Sequence, residues 1–169
     1  MPRLIVFSGL PASGKSSIAR GVARGIGAIW IRIDSIEQAI RDSGIATGSV
    51  DDAGYRAAYA VAEDNLLLGQ DVVGDSVNGW ALTRDAWRDV GLRAGALVIE
   101  FEIVCSDLAE HRRRVETRLG DIPGLNLPDW QSVADRDYQP WDRERILIDT
   151  AGRDVETCIG IVLAAVPGA

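Results

Sequence analysis

Short apolar runs alternate with stretches of helical periodicity along almost the whole chain. The runs are "LIVFS", "AIWIRID", "DVVGDSV", "ALVIEFEIVC" and "RILIDT", each close to turn residues. Such runs predict buried strands, whereas apolar side chains that recur every three or four residues between them predict helices. Strands separated by helices form parallel sheets with both faces covered. The pattern therefore predicts an α/β fold with a five-stranded parallel sheet and helices on both faces.

The same spacing sets the expected bounds of the elements. Asp51 or Asp52 is expected to cap the longest helix, and Thr83 and Ser106 the helices after the third and fourth strands. No repeat or linker divides the 169 residues, so one domain over 1–169 is expected. We expect strands over 4–8, 28–34, 71–77, 96–105 and 145–150, and helices over 15–24, 35–40, 52–66, 83–94, 106–120 and 155–165, with one further turn near Gln131.

Composition and charge limit the cellular location and the partners that are expected for this domain. No apolar stretch approaches the roughly 20 residues that a membrane span needs, and the short apolar start behind Pro2 and Arg3 is not expected to be a secretory signal. Cys105 and Cys158 sit in apolar surroundings, which predicts buried free thiols and a reducing, cytoplasmic location. The net charge of −7 makes nucleic acid an unexpected partner.

The turn after the first strand carries the most specific motif. Gly9-Leu10-Pro11-Ala12-Ser13-Gly14-Lys15-Ser16, followed by Ser17, fits G-x-x-x-x-G-K-[ST] between a strand and a helix. Backbone N–H groups of such a loop cradle phosphates, and the start of the helix adds further donors. Lys15 would reach the β- and γ-phosphates and Ser16 would bind Mg²⁺. The motif predicts binding of a nucleoside triphosphate with Mg²⁺.

With this motif in place, the chain resembles the small P-loop kinases: polynucleotide 5′-hydroxyl kinases, chloramphenicol phosphotransferase, and gluconate and shikimate kinases. It looks most similar to short bacterial kinase-like proteins grouped with AAA-family ATPases. The resemblance spans essentially the whole chain. It implies a P-loop NTPase fold like that of nucleoside-monophosphate kinases, with an arginine-bearing lid over about 106–145. ATP and Mg²⁺ are the implied cofactors, and a small-molecule alcohol is the implied acceptor.

The resemblance also implies roles on the acceptor side. In these kinases an Asp after the second strand takes the proton of the acceptor hydroxyl, and "WIRIDSI" places Asp34 there, unless Asp34 only caps the next helix. "GDSVN" resembles a D-x-T-N stretch of the same kinases. This makes Asp75 a candidate to contact Mg²⁺ and the substrate, and Asn78 a candidate to position the acceptor. The alternative is that the stretch is only a polar turn. Where polynucleotide kinases carry an Arg, this chain has Glu37, which disfavours an anionic acceptor and favours a neutral or cationic alcohol.

Arginines after the fourth strand supply the expected lid. Arg114 and Arg118 are four apart and share a helix face, so they are candidates to stabilise the transferring phosphoryl group, Arg118 first. A solvated face is the alternative, and we favour it for Arg112 and Arg113. His111, the only histidine in the sequence, is expected on the surface without a role.

The loop over 121–145 contains Trp130, Tyr138 and Trp141. They could wall the acceptor pocket or form a satellite core under a long loop; we favour the pocket. Arg136 is a candidate to contact the acceptor. Arg153 follows the fifth strand in a segment that resembles the one bordering the adenine in this fold, and is a candidate for nucleotide binding.

An ATP-dependent kinase acting on a small-molecule hydroxyl is the function these observations favour. One alternative is a polynucleotide 5′-hydroxyl kinase, against which Glu37 and the acidic composition count. Another is an ATP-binding protein or ATPase with no acceptor, which would need a residue that orients water. The sequence leaves both alternatives open.

Overall fold

A computed structural model describes residues 1–44, 48–50 and 52–168. Within these ranges the strands pair in parallel in the order β2-β3-β1-β4-β5, which confirms the predicted five-stranded α/β sheet. Over the same ranges, no helix is long and apolar enough to cross a membrane. The elements are β1 (Arg3–Ser8), α1 (Lys15–Ile26), β2 (Ile29–Arg32), α2 (Ile33–Asp42), α3 (Ala53–Leu67), β3 (Val72–Asp75), α4 (Ala81–Arg93), β4 (Leu97–Val104), α5 (Leu108–Thr117), α6 (Trp130–Ala134), β5 (Ile146–Asp149) and α7 (Val155–Ala165).

Apolar side chains fill a layer on each face of the sheet. Ile5 and Phe7 of the central strand β1 pack beneath α1 and α7, while Leu4 and Val6 pack on the opposite face beneath α3 and α4, around Trp87. All four β1 side chains are fully buried, because a central parallel strand is covered on both sides. This buried strand fixes the position of the turn that follows it.

The second strand is shorter than predicted. β2 ends at Arg32, and α2 begins at Ile33 without an intervening loop. The expectation that Ile33 lies on the strand and that Asp34 ends it is therefore wrong. Asp34 lies in the first turn of α2, where the positive end of the helix dipole stabilises a carboxylate.

Two predicted helix caps are also wrong. Asp107, not Ser106, caps α5, because its carboxylate accepts the amides of Ala109 and Glu110 at 2.9 and 3.0 Å. Thr83 lies inside α4, which begins after Trp80.

The other bounds agree more closely. α7 has its predicted limits, α5 ends at Thr117 rather than Gly120, and the turn near Gln131 is α6. Asp51 lies outside the described residues, and Asp52 holds the N-cap position of α3 without a side-chain cap bond. Both cysteines are buried free thiols, as predicted.

Candidate functional site

The turn between β1 and α1 has the conformation of a phosphate-binding loop. Its φ angles are positive at Gly9 (149°), Ala12 (62°) and Gly14 (98°). A Cβ atom on Gly9 would lie 2.3 Å from the carbonyl oxygen of Ile103, so the position has no room for a side chain. The turn ends where α1 begins, at Lys15, and the first amides of a helix have no intrahelical acceptor. These amides form an anion site at the start of α1.

A cavity of about 520 Å³ opens beside this loop. Its volume is that of ordinary ligand pockets. Four parts of the chain line it: the loop and α1 (Pro11, Ala12, Gly14, Lys15, Ser16, Ser17, Arg20), β2 and α2 (Trp30, Arg32, Asp34, Glu37, Arg41), Val77 after β3, and the region from α5 to just beyond α6, which includes Arg114, Arg118, Asp121, Leu125, Pro128 and Arg136.

The cavity is strongly cationic although the chain is acidic. Seven lysine or arginine side chains line it, against three carboxylates. Arg32 is bound to Asp121 at 2.7 and 3.0 Å, and this ion pair joins β2 to the segment after α5. The excess of cations suits a polyanionic ligand.

Asp75, at the end of β3, lies behind the loop rather than on the cavity wall. The Ser16 hydroxyl donates to its Oδ1 at 3.1 Å, and Lys15 Nζ lies 3.9 Å from the same atom. Burial raises the pKa of Asp75, and Lys15 and Ser16 partly oppose this shift. Its Oδ2 is buried and makes no hydrogen bond to the described residues. An unpartnered carboxylate oxygen beside a hydroxyl fits Mg²⁺, which takes oxygen ligands and few protein groups.

Asp34 and Arg118 lie near each other on the cavity wall. Asp34 is half-buried. Burial lowers the pKa of Arg118, and the nearby Asp34 carboxylate is the main group opposing that shift. The Arg118 Nε is buried without a hydrogen-bond partner in the described ranges. Arg118 therefore has donors available for a ligand.

Arg114 also lines the cavity, but its donors are occupied. It donates to Thr150 Oγ1 at 2.8 Å, to the Thr150 carbonyl at 2.9 Å and to Glu110 at 2.5 Å. Glu110 accepts the amide of Gly152 at 3.0 Å, and the Thr150 hydroxyl lies 2.8 Å from the carbonyl oxygen of Ser13. Arg114 thus ties α5 to the end of β5 and to the loop.

Asn78 and Arg153, like Asp75, are predicted site residues that do not line the cavity. Asn78 is fully buried, has φ 50°, and donates to Ser8 Oγ at 2.9 Å. Arg153 is exposed and donates to the Asp149 carbonyl at 3.0 Å. Arg136, in contrast, lies on the cavity wall.

Tyr138 and Trp141 of the long loop form a satellite core around Arg84. These two rings and Trp130 do not line the cavity, so the preference for the acceptor pocket is wrong. Arg84 is fully buried between the rings of Tyr138 and Trp141, at 5.1 and 4.2 Å from their centroids. Its guanidinium donates to backbone carbonyls of residues 78–79 and 139–140. Arg84 therefore fastens the long loop to the segment after β3.

His111 is buried, contrary to expectation. Its Nε2 donates to the carbonyl oxygen of Pro11 at 2.9 Å, and its ring meets Trp130 edge to face at 5.4 Å. His111 thus packs α5 against the phosphate-binding loop, while Trp130 lies outside the cavity. Nothing in a lone histidine beside arginines indicated this contact.

Glu37 lines the cavity, but its carboxylate is not free. It pairs with Arg41 at 3.2 Å, and Gly54 packs so closely that a Cβ there would lie 2.3 Å from Glu37 Cγ. Burial raises the pKa of Glu37, and Arg41 and Arg136 partly oppose this shift. The sequence argument that Glu37 disfavours an anionic acceptor therefore loses its basis.

Three cavity arginines were not predicted: Arg20, Arg32 and Arg41. For Arg41 a signal existed, because Asp34, Glu37 and Arg41 recur at the spacing of one helix face. For Arg20 and Arg32 the sequence offered none, because their place in the cavity depends on how β2 and α1 meet the segment after α5.

Comparisons with known proteins agree with this geometry. Residues 4–132 match the family described as "AAA domain". An uncharacterised protein of Mycobacterium tuberculosis is 31% identical over 163 residues, a match that covers 89% of this chain and 32% of that protein. The chain thus spans about a third of the length of the curated relatives it matches.

Solved kinases share the fold. The APS kinase CysC of Mycobacterium tuberculosis, in complex with AMPPNP and APS, has a TM-score of 0.69 at 22% identity, with 96% of each chain covered. A sugar kinase from Janibacter sp. has a TM-score of 0.69 at 20% identity, covering 97% of this chain and 94% of that one. The chain belongs to the AAA-domain family and has the nucleotide-binding fold of the small P-loop kinases.

Proposed function

We propose that the chain is an ATP-dependent kinase that transfers the γ-phosphate of ATP to a hydroxyl group of a small molecule. One observation carries the proposal: Lys15 and Ser16 of the phosphate-binding loop share a cavity with the carboxylate of Asp34. A nucleotide cradle and a carboxylate in one cavity are what phosphoryl transfer to an alcohol requires.

On the nucleotide side, the amides at the start of α1 would hold the β- and γ-phosphates together with Lys15. Ser16 and Asp75 would hold Mg²⁺. When bound, this ion supplies positive charge to the phosphate oxygens. Lys15 Nζ lies 3.9 Å from Asp75 Oδ1, beside the groups that would hold the ion.

On the acceptor side, Asp34 would accept a hydrogen bond from the hydroxyl and orient its oxygen toward the γ-phosphorus. As the new P–O bond forms and the bond to the ADP oxygen breaks, the hydroxyl proton passes to Asp34. Arg118, whose donors are available, would stabilise the charge on the equatorial oxygens. Leu125 and Pro128 wall the cavity on this side and restrict the access of water, a competing acceptor.

The test is transfer from γ-labelled Mg·ATP to a panel of alcohols, sugars and a 5′-hydroxyl oligonucleotide, using wild type and Asp34→Asn. The variant should transfer about 10²–10⁴-fold more slowly, the usual contribution of a general base, and bind Mg·AMPPNP within about threefold of wild type. Asp42→Asn is the matched control, because Asp42 lies on the same helix outside the cavity. Undiminished transfer by Asp34→Asn would remove Asp34 from the mechanism.

The panel also separates a kinase from an ATPase that has no acceptor. A kinase consumes ATP faster when its acceptor is present, whereas an ATPase consumes it at one rate with or without the panel. Lys15→Ala should abolish either activity. Full activity in that variant would contradict the role of the loop.

A further inference from the structure

The face of α2 that lines the cavity runs from the carboxylate of Asp34 to the guanidinium of Arg41. Asp34, Glu37 and Arg41 are spaced by three and four residues and all line the cavity. At a rise of 1.5 Å per residue, Arg41 lies about 10 Å along the helix from Asp34. Its side chain turns back to Glu37, which brings the guanidinium about one turn closer to Asp34.

The corner of the cavity at the Glu37–Arg41 pair has a second guanidinium, that of Arg136. Arg136 follows α6, lines the cavity, and lies near enough to Glu37 to act on it electrostatically. Within the described part of the chain, Arg136 forms no ion pair. Arg41 is paired with Glu37, and Asp34 lies one helical turn from Glu37, so the Arg136 fork is the available guanidinium at this corner.

This corner is separate from the groups that serve the nucleotide. Lys15, Ser16 and the amides of the loop lie at the start of α1. Arg41 lies about two turns beyond Asp34 on α2, and Arg136 follows α6. An available guanidinium binds a carboxylate or phosphate through paired N–H donors. A neutral alcohol would leave the Arg136 fork to water.

We propose that the phosphoryl acceptor is an anionic alcohol, which carries a carboxylate or phosphate about 5–10 Å from the hydroxyl that is phosphorylated, one to two turns of α2. The hydroxyl lies at Asp34, and the anionic group binds Arg136 beside the Glu37–Arg41 pair. This inference rests on the proposed kinase function and reverses the expectation of a neutral or cationic acceptor.

The experiment compares ω-hydroxy acids with diols of the same length. The protein saturated with Mg·AMPPNP is titrated calorimetrically with glycolate, 4-hydroxybutyrate and 6-hydroxyhexanoate, and with ethylene glycol, 1,4-butanediol and 1,6-hexanediol. Transfer to the same compounds is measured with Mg·ATP. The two longer acids should bind at least tenfold more tightly than their diols, whereas glycolate, too short to span the distance, should show no such advantage.

Variants locate the effect. Arg136→Gln should reduce the preference for acids to less than twofold by raising KM for the acids, with the affinity for Mg·AMPPNP unchanged. Arg113→Gln, an exposed arginine on α5 outside the cavity, should keep the full preference. Equal binding of acids and diols, no binding of any acid, or a preference that survives Arg136→Gln would overturn the anionic acceptor.

The two assays separate this inference from the proposed function. Transfer to diols as fast as to acids would overturn the anionic acceptor and leave the kinase function standing. Binding of the longer acids through Arg136 without transfer from Mg·ATP to any acceptor would support the anion subsite and contradict the kinase function.

Discussion

Arg114 and Arg118 lie one helical turn apart, yet their surroundings differ so much that alanine should affect the two positions unequally. Arg114 donates three hydrogen bonds, two to Thr150 and one to Glu110. Arg118 forms no ion pair in the described ranges, and its Nε is buried without a partner. Arg114 therefore stabilises the fold, whereas Arg118 is available to bind a ligand.

The magnitudes follow from these contacts. Hydrogen bonds to a charged group contribute about 1.5–3 kcal/mol each, but the Arg114 and Glu110 side chains are 26% and 16% exposed, and losses within one network do not add. Arg114→Ala should therefore lower the free energy of unfolding by about 2–3 kcal/mol, or Tm by roughly 4–12 °C at this chain length. Arg118→Ala removes no hydrogen bond and should change the free energy of unfolding by less than about 0.5 kcal/mol.

Urea denaturation followed by tryptophan fluorescence measures both variants without a known acceptor. Arg112→Ala is the control, since its exposed pair with Glu116 is worth at most about 1 kcal/mol. A loss for Arg118→Ala as large as that for Arg114→Ala would refute the division of roles. So would an Arg114→Ala protein as stable as wild type.

Two further predictions concern the loop and Asp75, the proposed metal ligand. Asp75→Asn should change how stability depends on pH, because burial raises the pKa of Asp75 and makes its charged form costly. The contribution of Asp75 favours folding below the unfolded pKa and is lost as pH rises through the folded pKa, so in thermal melts the Tm of the wild type should fall relative to that of the variant as pH rises. Mg·ATP should stabilise only the wild type. A Tm of the wild type that rises relative to that of the variant as pH rises would contradict the assignment. Gly9→Ala should lower the free energy of unfolding by about 2–5 kcal/mol, because its Cβ would lie 2.3 Å from the Ile103 carbonyl at φ 149°. Gly160→Ala in α7, where an added Cβ would meet no atom of another segment within 4 Å, should raise it by about 0.5–1 kcal/mol. Similar effects of the two glycine substitutions in chemical denaturation would show that the turn is not packed as described.

The features that were predicted correctly depend on local sequence. The apolar run of β1 and the glycine-rich turn after it fixed the strand, the loop and the start of α1, since both signals lie within a few residues. The bound between β2 and α2 was missed because Ile33 continues the alternating pattern of the strand although the helix begins there.

The features that were missed depend on contacts between distant segments. Arg32 meets Asp121 across 89 positions, and Arg84 meets the 139–140 carbonyls across more than 50. Periodicity carries no information about such pairs. The charge of the cavity and the surroundings of Glu37 depend on how α2, α5 and the long loop pack together.

The central claim is that the amides between residues 9 and 17 cradle a triphosphate that faces the carboxylate of Asp34. A crystal structure of the wild-type protein with Mg·AMPPNP tests it most directly. The account predicts β- and γ-phosphates on those amides and on Lys15, Mg²⁺ beside Ser16 and Asp75, and Asp34 directed at the space next to the γ-phosphorus. A nucleotide bound elsewhere, or an Asp34 carboxylate turned to solvent while the loop is occupied, would contradict it.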